Sequence, residues 1–313
     1  MSATPAPARA LTLDLAFWTS QYLTYLQLEV GRSPLTISGY GTNLDYFTRW
    51  VAERYGEATI DHLIHPICRA YLVSMAERGL KPKTIQKAVA PLKGLIRYLA
   101  DEGQLTDSAW VTRLRGPKIV ERRADPLPTE EARRLLAAIP AYTLAGQRDR
   151  VLFRLFLESG LRISEMLHLT VAHCRLDLPA LIVRHGKNDK DRVVPLTADM
   201  ADALRHYLDS IRPALARRSS PPTVWLAHTG RAMAATTLRD RLRYYARLAG
   251  LEGRRIHPHK LRATFATRLD QAGTNVTVIQ ELMGHSDIKT TAHYVGVAGR
   301  EMREAIDRLP PLV

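Results

Sequence analysis

Residues 116–128 read GPKIVERRADPLP, and this stretch divides the chain. Three prolines, one glycine and five charged residues flank a single Ile-Val pair, with no sustained apolar period, which is the composition of a linker. Before it, apolar residues recur at helical spacing. Residues 11–30 predict one helix, broken at Gly31-Arg32-Ser33-Pro34, where Ser33 is expected to cap and Pro34 to open the next. That next helix carries Tyr40, Leu44, Phe47 and Val51, spaced by three or four residues. A third is expected over 66–77. A fourth is expected over 82–101, with Ile85, Val89, Leu92, Ile96 and Leu99 on its apolar face and Lys81, Lys83, Lys87, Lys93 and Arg97 among its charges. Residues 1–10 are rich in Ala and Pro, lack a signal peptide's apolar stretch, and read as a disordered lead.

Beyond the linker the pattern is mixed. Thr129 is expected to cap a helix with Glu130 and Glu131 in its first turn. Helical periodicity covers 147–158 and halts at Gly160. Two short β-prone runs, 180–185 and 192–196, are joined by the hairpin-like GKNDKD, and 224–227 reads as a further short strand. The rest reads as helix to residue 308. The expected fold class is mainly α with a small β-sheet in the second domain.

Length and charge narrow the function. A chain of 313 residues is long enough for two domains, and 46% hydrophobic with 24% charged residues is ordinary for a packed globular protein. Lys and Arg number 45 against 31 Asp and Glu, a formal net charge of +14, with a pI of about 10.0. This balance argues against an acidic solvating chain or a typical small-metabolite enzyme and favours a polyanionic partner, nucleic acid being the commonest. The excess is uneven: 13 basic against 10 acidic residues up to residue 115, and 32 against 21 after it. Cys68 and Cys174, one in each half, make neither a disulfide framework nor a CxxC zinc pair, so a reducing cytosol is the expected compartment. No apolar run approaches the ~18 residues that span a bilayer, and no membrane partner is expected.

Several polar residues of the second part stand in apolar contexts. Arg162 opens a helix just after Gly160, where a helix N-terminus and a guanidinium fork both suit phosphate; the plainer reading pairs it with Glu158 or Glu165. Lys187 sits on the expected hairpin loop, where a mobile lysine can reach a leaving group, or where charge is simply solvated. His259 and Arg262 lie three apart on one helix face, suited to a phosphoryl group, with a capping histidine and a surface arginine as the alternative. A metal reading of His257 and His259 lacks a third ligand at suitable spacing. Gly284 closes a helix, His285 follows it, and Tyr294 comes shortly after. Alone, each of these two side chains would be read as packing or surface.

In combination these residues change the reading. SGLRISE at 159–165, GKNDKDRVVPL at 186–196, HPHKLRATFAT at 257–267 and LMGHSDIKTTAHY at 282–294 resemble, in order and separation, the tyrosine recombinase (phage integrase) family, and within it the Xer-like site-specific recombinases. The resemblance implies a helical core-DNA-binding domain over 11–115, the linker 116–128 and an α+β catalytic domain over 129–299. A tail over 300–313 follows, whose Met302, Ala305, Ile306 and Leu309 dock on a neighbouring subunit or on their own domain. It implies Tyr294 as nucleophile, Arg162 and Arg262 as the clamp on the scissile phosphate, Lys187 as donor to the leaving 5′ oxygen, and His259 and His285 as aids to proton transfer and phosphate orientation. A 3′-phosphotyrosyl link would conserve the energy of the broken bond, so no cofactor is expected, in keeping with the lack of a phosphate-binding GxxxxGK[ST] loop. The implied partners are double-stranded DNA with a specific site and three further protomers in a tetramer on two duplexes, with a second related recombinase left open. The implied location is the cytoplasm, on the nucleoid. Asn188 and Ala263 depart from the commonest family residues, glycine and histidine. A helical domain starting near Leu11 favours an Xer-type or transposon-type enzyme over a phage integrase with an added arm-binding domain. Two alternatives share the chain's features: a catalytically silent DNA-binding architectural or regulatory protein, and a topoisomerase-like nicking-closing enzyme.

Overall fold

Caps written in the sequence set the first helices. A computed structural model describes residues 13–119, 125–184, 191–284 and 297–312; the expected lead, the middle of the linker and most of the hairpin loop lie outside the described residues. The Asp14 carboxylate accepts from the Ala16 N–H at 2.9 Å and opens α1 (Leu15–Leu28). Ser33 Oγ accepts from the Thr36 N–H and Pro34 takes the first helical position of α2 (Pro34–Tyr55). α3 (His65–Glu77) and α4 (Pro82–Asp101) follow. All five expected apolar positions of α4 are buried, and Lys81, Lys83, Lys87 and Arg97 are exposed. With Trp18, Tyr22, Leu44, Phe47, Val51 and Trp110 they form one helical core.

The chain separates into two compact units, the first ending at Arg122. The second begins its helices with α5 (Thr129–Ala137) and α6 (Leu144–Ser159). Thr129 is not the cap: Pro128 holds φ −53° and ψ 149°, the extended geometry of a cap position, so Thr129 becomes the first helical residue. α6 starts earlier than its apolar period suggests, because Thr143 Oγ1 accepts from the Gly146 N–H at 3.0 Å. Every residue of α6 from Leu152 to Ser159 is buried, so this helix is the axis of the unit rather than a surface helix.

Short α7 (Ile163–His168) leads into an antiparallel sheet of β1 (Cys174–Arg175), β2 (Ala180–Val183) and β3 (Arg192–Pro195), in that order, with Leu181 opposite Val194 and Val183 opposite Arg192. β1, only two residues long, has no alternation to betray it in sequence. Residues 224–227 do not form a strand. Val224, Trp225 and Leu226 are fully buried, but the backbone bonds of the run are single ones, from Val224 N–H to Leu169, from Met233 N–H to Trp225 and from Ala227 N–H to Arg231, so no ladder forms.

α8 (Ala198–His206) runs through a π turn at Tyr207–Ile211 into α9 (Arg212–Leu215). Then come α10 (Ala235–Leu248), α11 (Pro258–Gln271), α12 (Val276–Met283) and α13 (Val297–Asp307). Ala305, Ile306 and Leu309, with Met302 partly buried beside them, pack against Phe265, Leu269, Val278 and Leu282 of their own unit. Arg268 donates to the Pro310 carbonyl and Arg133 to that of Pro311. The chain is thus mainly α with one small sheet in its second unit. Among the described residues no helix is long and apolar enough to cross a membrane, and both cysteines are free.

Charges inside α6 are neutralised by partners from distant elements. Asp149, fully buried, accepts from Arg148 at 2.7 Å, from the Tyr245 hydroxyl at 2.8 Å and from Arg241. Arg148 also donates to the Leu226 carbonyl at 2.7 Å. Breaking such a cluster leaves a buried charge uncompensated. Asp149→Asn is expected to lower the unfolding free energy by about 3–5 kcal/mol, read as a lower urea midpoint.

Candidate active site

Two glycines in the left-handed region make the turns on which the site is built. Gly160 (φ 60°) ends α6, and a Cβ there would lie 2.3 Å from the Phe265 ring of α11. Gly284 (φ 61°) ends α12, and a Cβ there would lie 2.9 Å from the Arg192 guanidinium. Glycine alone fits both the backbone and the space.

Just past Gly160, Arg162 caps α7 with extended backbone. Its N–H donates to Glu165 Oε2 at 2.7 Å and its Nη1 to Glu165 Oε1 at 2.7 Å. Arg192, the first residue of β3, reaches the same carboxylate as a two-pronged fork, with both bonds at 2.8 Å. Glu165 therefore accepts four hydrogen bonds, the full capacity of a carboxylate. Burial pushes its pKa up, but the bonds from Arg192 and Arg162 outweigh burial and hold it at about 2. A carboxylate so occupied is a frame for the arginines and not a general base.

Arg262, on α11, is buried and donates to the carbonyls of Gly160 and Met283. Burial, and then the charges of Arg162 and Arg192, lower its pKa to about 10 against the opposing pull of Glu165, so it remains charged at neutral pH. Arg162 Nη2 donates to the next carbonyl, that of Gly284, at 2.8 Å. Guanidiniums drawn from helices a hundred residues apart in sequence thus grip two successive carbonyls. Among the described residues three guanidiniums stand against one carboxylate here, an arrangement whose unbalanced positive charge suits an anion.

His259 is exposed one turn before Arg262. His257, 6.4 Å from it between ring centroids, caps α11 by accepting from the Lys260 N–H at 3.2 Å. Burial, then the neighbouring His259 and Lys260 charges, lower its pKa, which suits an unprotonated accepting nitrogen. Among the described residues no three His, Cys, Asp or Glu side chains are grouped to hold a metal ion.

Of the six residues singled out from the sequence, Arg162, His259 and Arg262 are described, and both arginines are brought to the end of α12. Lys187, His285 and Tyr294 lie outside the described residues. Arg162 does pair with Glu165, as its plainer reading holds, while Glu158 pairs with Arg154 instead, at 2.8 Å. The pairing with Glu165 builds the cluster rather than replacing it. Sequence reasoning missed Glu165 and Arg192 as parts of the site. The available signals were the three-residue spacing of Arg162 and Glu165, which is that of a capping box, and the arginine closing the charged loop.

Residues 126–300 match the phage integrase family, and 19–103 match the phage integrase N-terminal SAM-like domain. The chain is 35% identical over 293 residues to the tyrosine recombinase XerA of Thermococcus kodakarensis, covering 92% of this chain and 93% of that protein. It is 33% identical over 301 residues to the tyrosine recombinase XerC of Pelotomaculum thermopropionicum, covering 93% and 96%. Its fold is similar to that of the Tn1549 transposon integrase in complex with transposon right end DNA, with a TM-score of 0.66 at 22% identity, covering 92% of this chain and 98% of that one.

The Glu165 carboxyl sets an acid-stability prediction. Its pKa in the fold lies below its ordinary 4.5, so it stabilises the fold above that value and loses this as the pH falls from 4.5 toward about 2. Over that window the unsubstituted chain is expected to lose on the order of 3 kcal/mol more than Glu165→Gln, which starts less stable. Urea unfolding at a series of pH values reads the difference.

Proposed function

The chain belongs to the phage integrase family, and on that premise we propose a site-specific DNA recombinase that cleaves and rejoins strands through a 3′-phosphotyrosyl intermediate. One observation carries the assignment of the phosphate clamp. Arg162 and Arg262 donate to the successive carbonyls of Gly284 and Met283, so their guanidiniums converge where the chain leaves for His285 and Tyr294.

In this reading the Tyr294 phenol oxygen attacks the scissile phosphorus. The bond from phosphorus to the tyrosine oxygen forms, and that to the 5′ oxygen breaks. Charge grows on the non-bridging oxygens, where Arg162 and Arg262 stabilise it. A phenol is mostly protonated at neutral pH. His259 or His285 takes its proton, while Lys187 gives one to the leaving 5′ oxygen. A 5′ hydroxyl from a second duplex then attacks the phosphotyrosine and reverses each transfer, restoring the phenol. Backbone energy is kept in the covalent link throughout.

The partner is double-stranded DNA bearing a recombination site, bound largely through phosphates, so affinity falls steeply with salt. Four protomers act on two duplexes, while the apolar side chains of the tail, Ala305, Ile306 and Leu309, stay docked on their own unit. The reaction serves chromosome or plasmid dimer resolution, or the movement of an element.

Duplexes enriched by this protein from a random-sequence pool, then nicked beside the cut position, test the reading. The unsubstituted chain is expected to accumulate a covalent protein–DNA adduct and Tyr294→Phe none. Arg162→Ala is expected to slow adduct formation on the order of 10²–10³-fold. Adduct in Tyr294→Phe removes that residue from its role. Relaxation of supercoils without exchange between two sites replaces recombination with nicking and closing.

A further inference from the structure

The helix bearing His259 and Arg262 is anchored at its start by a buried lysine that the reaction does not use. Lys260 is only 8% exposed, and lysines so buried are found almost only where paired. Its ammonium donates to Asp125 Oδ2 at 2.7 Å and to the Arg254 carbonyl. The lysine holds that carbonyl just ahead of Arg255, the one non-glycine residue with positive φ (46°) among the described residues. A left-handed arginine costs energy that surrounding bonds must offset.

Asp125 begins a run of three residues in which each is fastened to the same region. Asp125 meets Lys260 and Arg254, the Pro126 carbonyl accepts from Arg254 at 3.1 Å, and the Leu127 N–H donates to Thr264 Oγ1 at 2.8 Å. Thr264 lies one turn after Lys260 on α11 and donates back to the Lys260 carbonyl at 2.9 Å. The segment by which the chain enters its second unit is therefore stitched along the first two turns of α11. Arg262 pins the same turns to α6 and α12 through the Gly160 and Met283 carbonyls. These two sets of bonds fasten the first two turns of α11 on both sides.

Resting on the recombinase reading above, we propose that Lys260 is a positioning residue for His259 and Arg262: its ammonium, clamped between Asp125 and the Arg254 carbonyl, sets the axial register of α11. Lys260 and His259 are adjacent in sequence and so do not share a face; the lysine acts through the helix and not on the phosphate. A displacement of about 1 Å at a catalytic group is enough to cost on the order of 10²-fold in rate.

The test compares the full-length chain with Lys260→Met, Asp125→Asn and the double variant, on the nicked duplex enriched as above, well below each variant's thermal midpoint. Single-turnover adduct formation at saturating protein is expected to fall about 10²-fold in Lys260→Met, and in the same direction in Asp125→Asn, while Kd for the duplex stays within about 3-fold. The double variant is expected to be no slower than Lys260→Met, because both remove one link. Asp125 is exposed, so its variant keeps the test open if Lys260→Met fails to fold. Unchanged rates in the single variants, or a rate loss matched by lost affinity, overturn the positioning role while leaving the recombinase reading intact. Absence of adduct from the unsubstituted chain overturns both.

Discussion

Like charges gathered in one place repel, and the site of this protein exists because one carboxylate answers that repulsion. Two unit charges about 4 Å apart interact by roughly 4 kcal/mol at an intermediate dielectric, so neighbouring guanidiniums need a counter-ion to stay put. Glu165 supplies it. Its oxygens bind Arg162 through side chain and backbone, and Arg192 through both prongs. Arg262 is held by carbonyl oxygens instead. Among the described residues the cluster keeps an excess of positive charge, which suits an anion from outside.

The buried helix α6 determines where that cluster forms. One end is locked by Asp149 with Arg148, Arg241 and Tyr245. The other end turns sharply at Gly160, where α11 approaches so closely that Phe265 lies where a Cβ would be. Arg268 of α11 reaches back to the Leu157 carbonyl at 3.1 Å. The placement of Arg162 and Arg262 is thus a product of how two helices meet.

Arginine is used here as much for the interior as for the surface. Arg148, Arg154, Arg262 and Arg268 are buried, and Arg212 and Arg303 clamp backbone carbonyls at element ends. A net charge of +14 therefore overstates the cation surface offered to a partner, because part of the arginine content is already occupied by carbonyls and carboxylates. Composition points to a polyanionic partner, yet it does not distinguish an arginine left free for a partner from one that holds a loop.

Those features that depend on near neighbours were legible from the sequence alone. Ser33 and Pro34 start a helix, Gly160 and Gly284 end helices, and the apolar period of 82–101 marks its buried face, because caps and periodicity act within a turn or two. The order of the motifs likewise identified the family. The third dimension decided the rest. Thr129 lost its capping position to Pro128, the buried run at 224–227 found no ladder, and Glu165 became the frame of the site. Lys260 was drawn inside by Asp125, 135 residues away in sequence. Apart from the cap, each of these outcomes turns on which distant group reaches a given oxygen or nitrogen, and only the packed chain sets those distances.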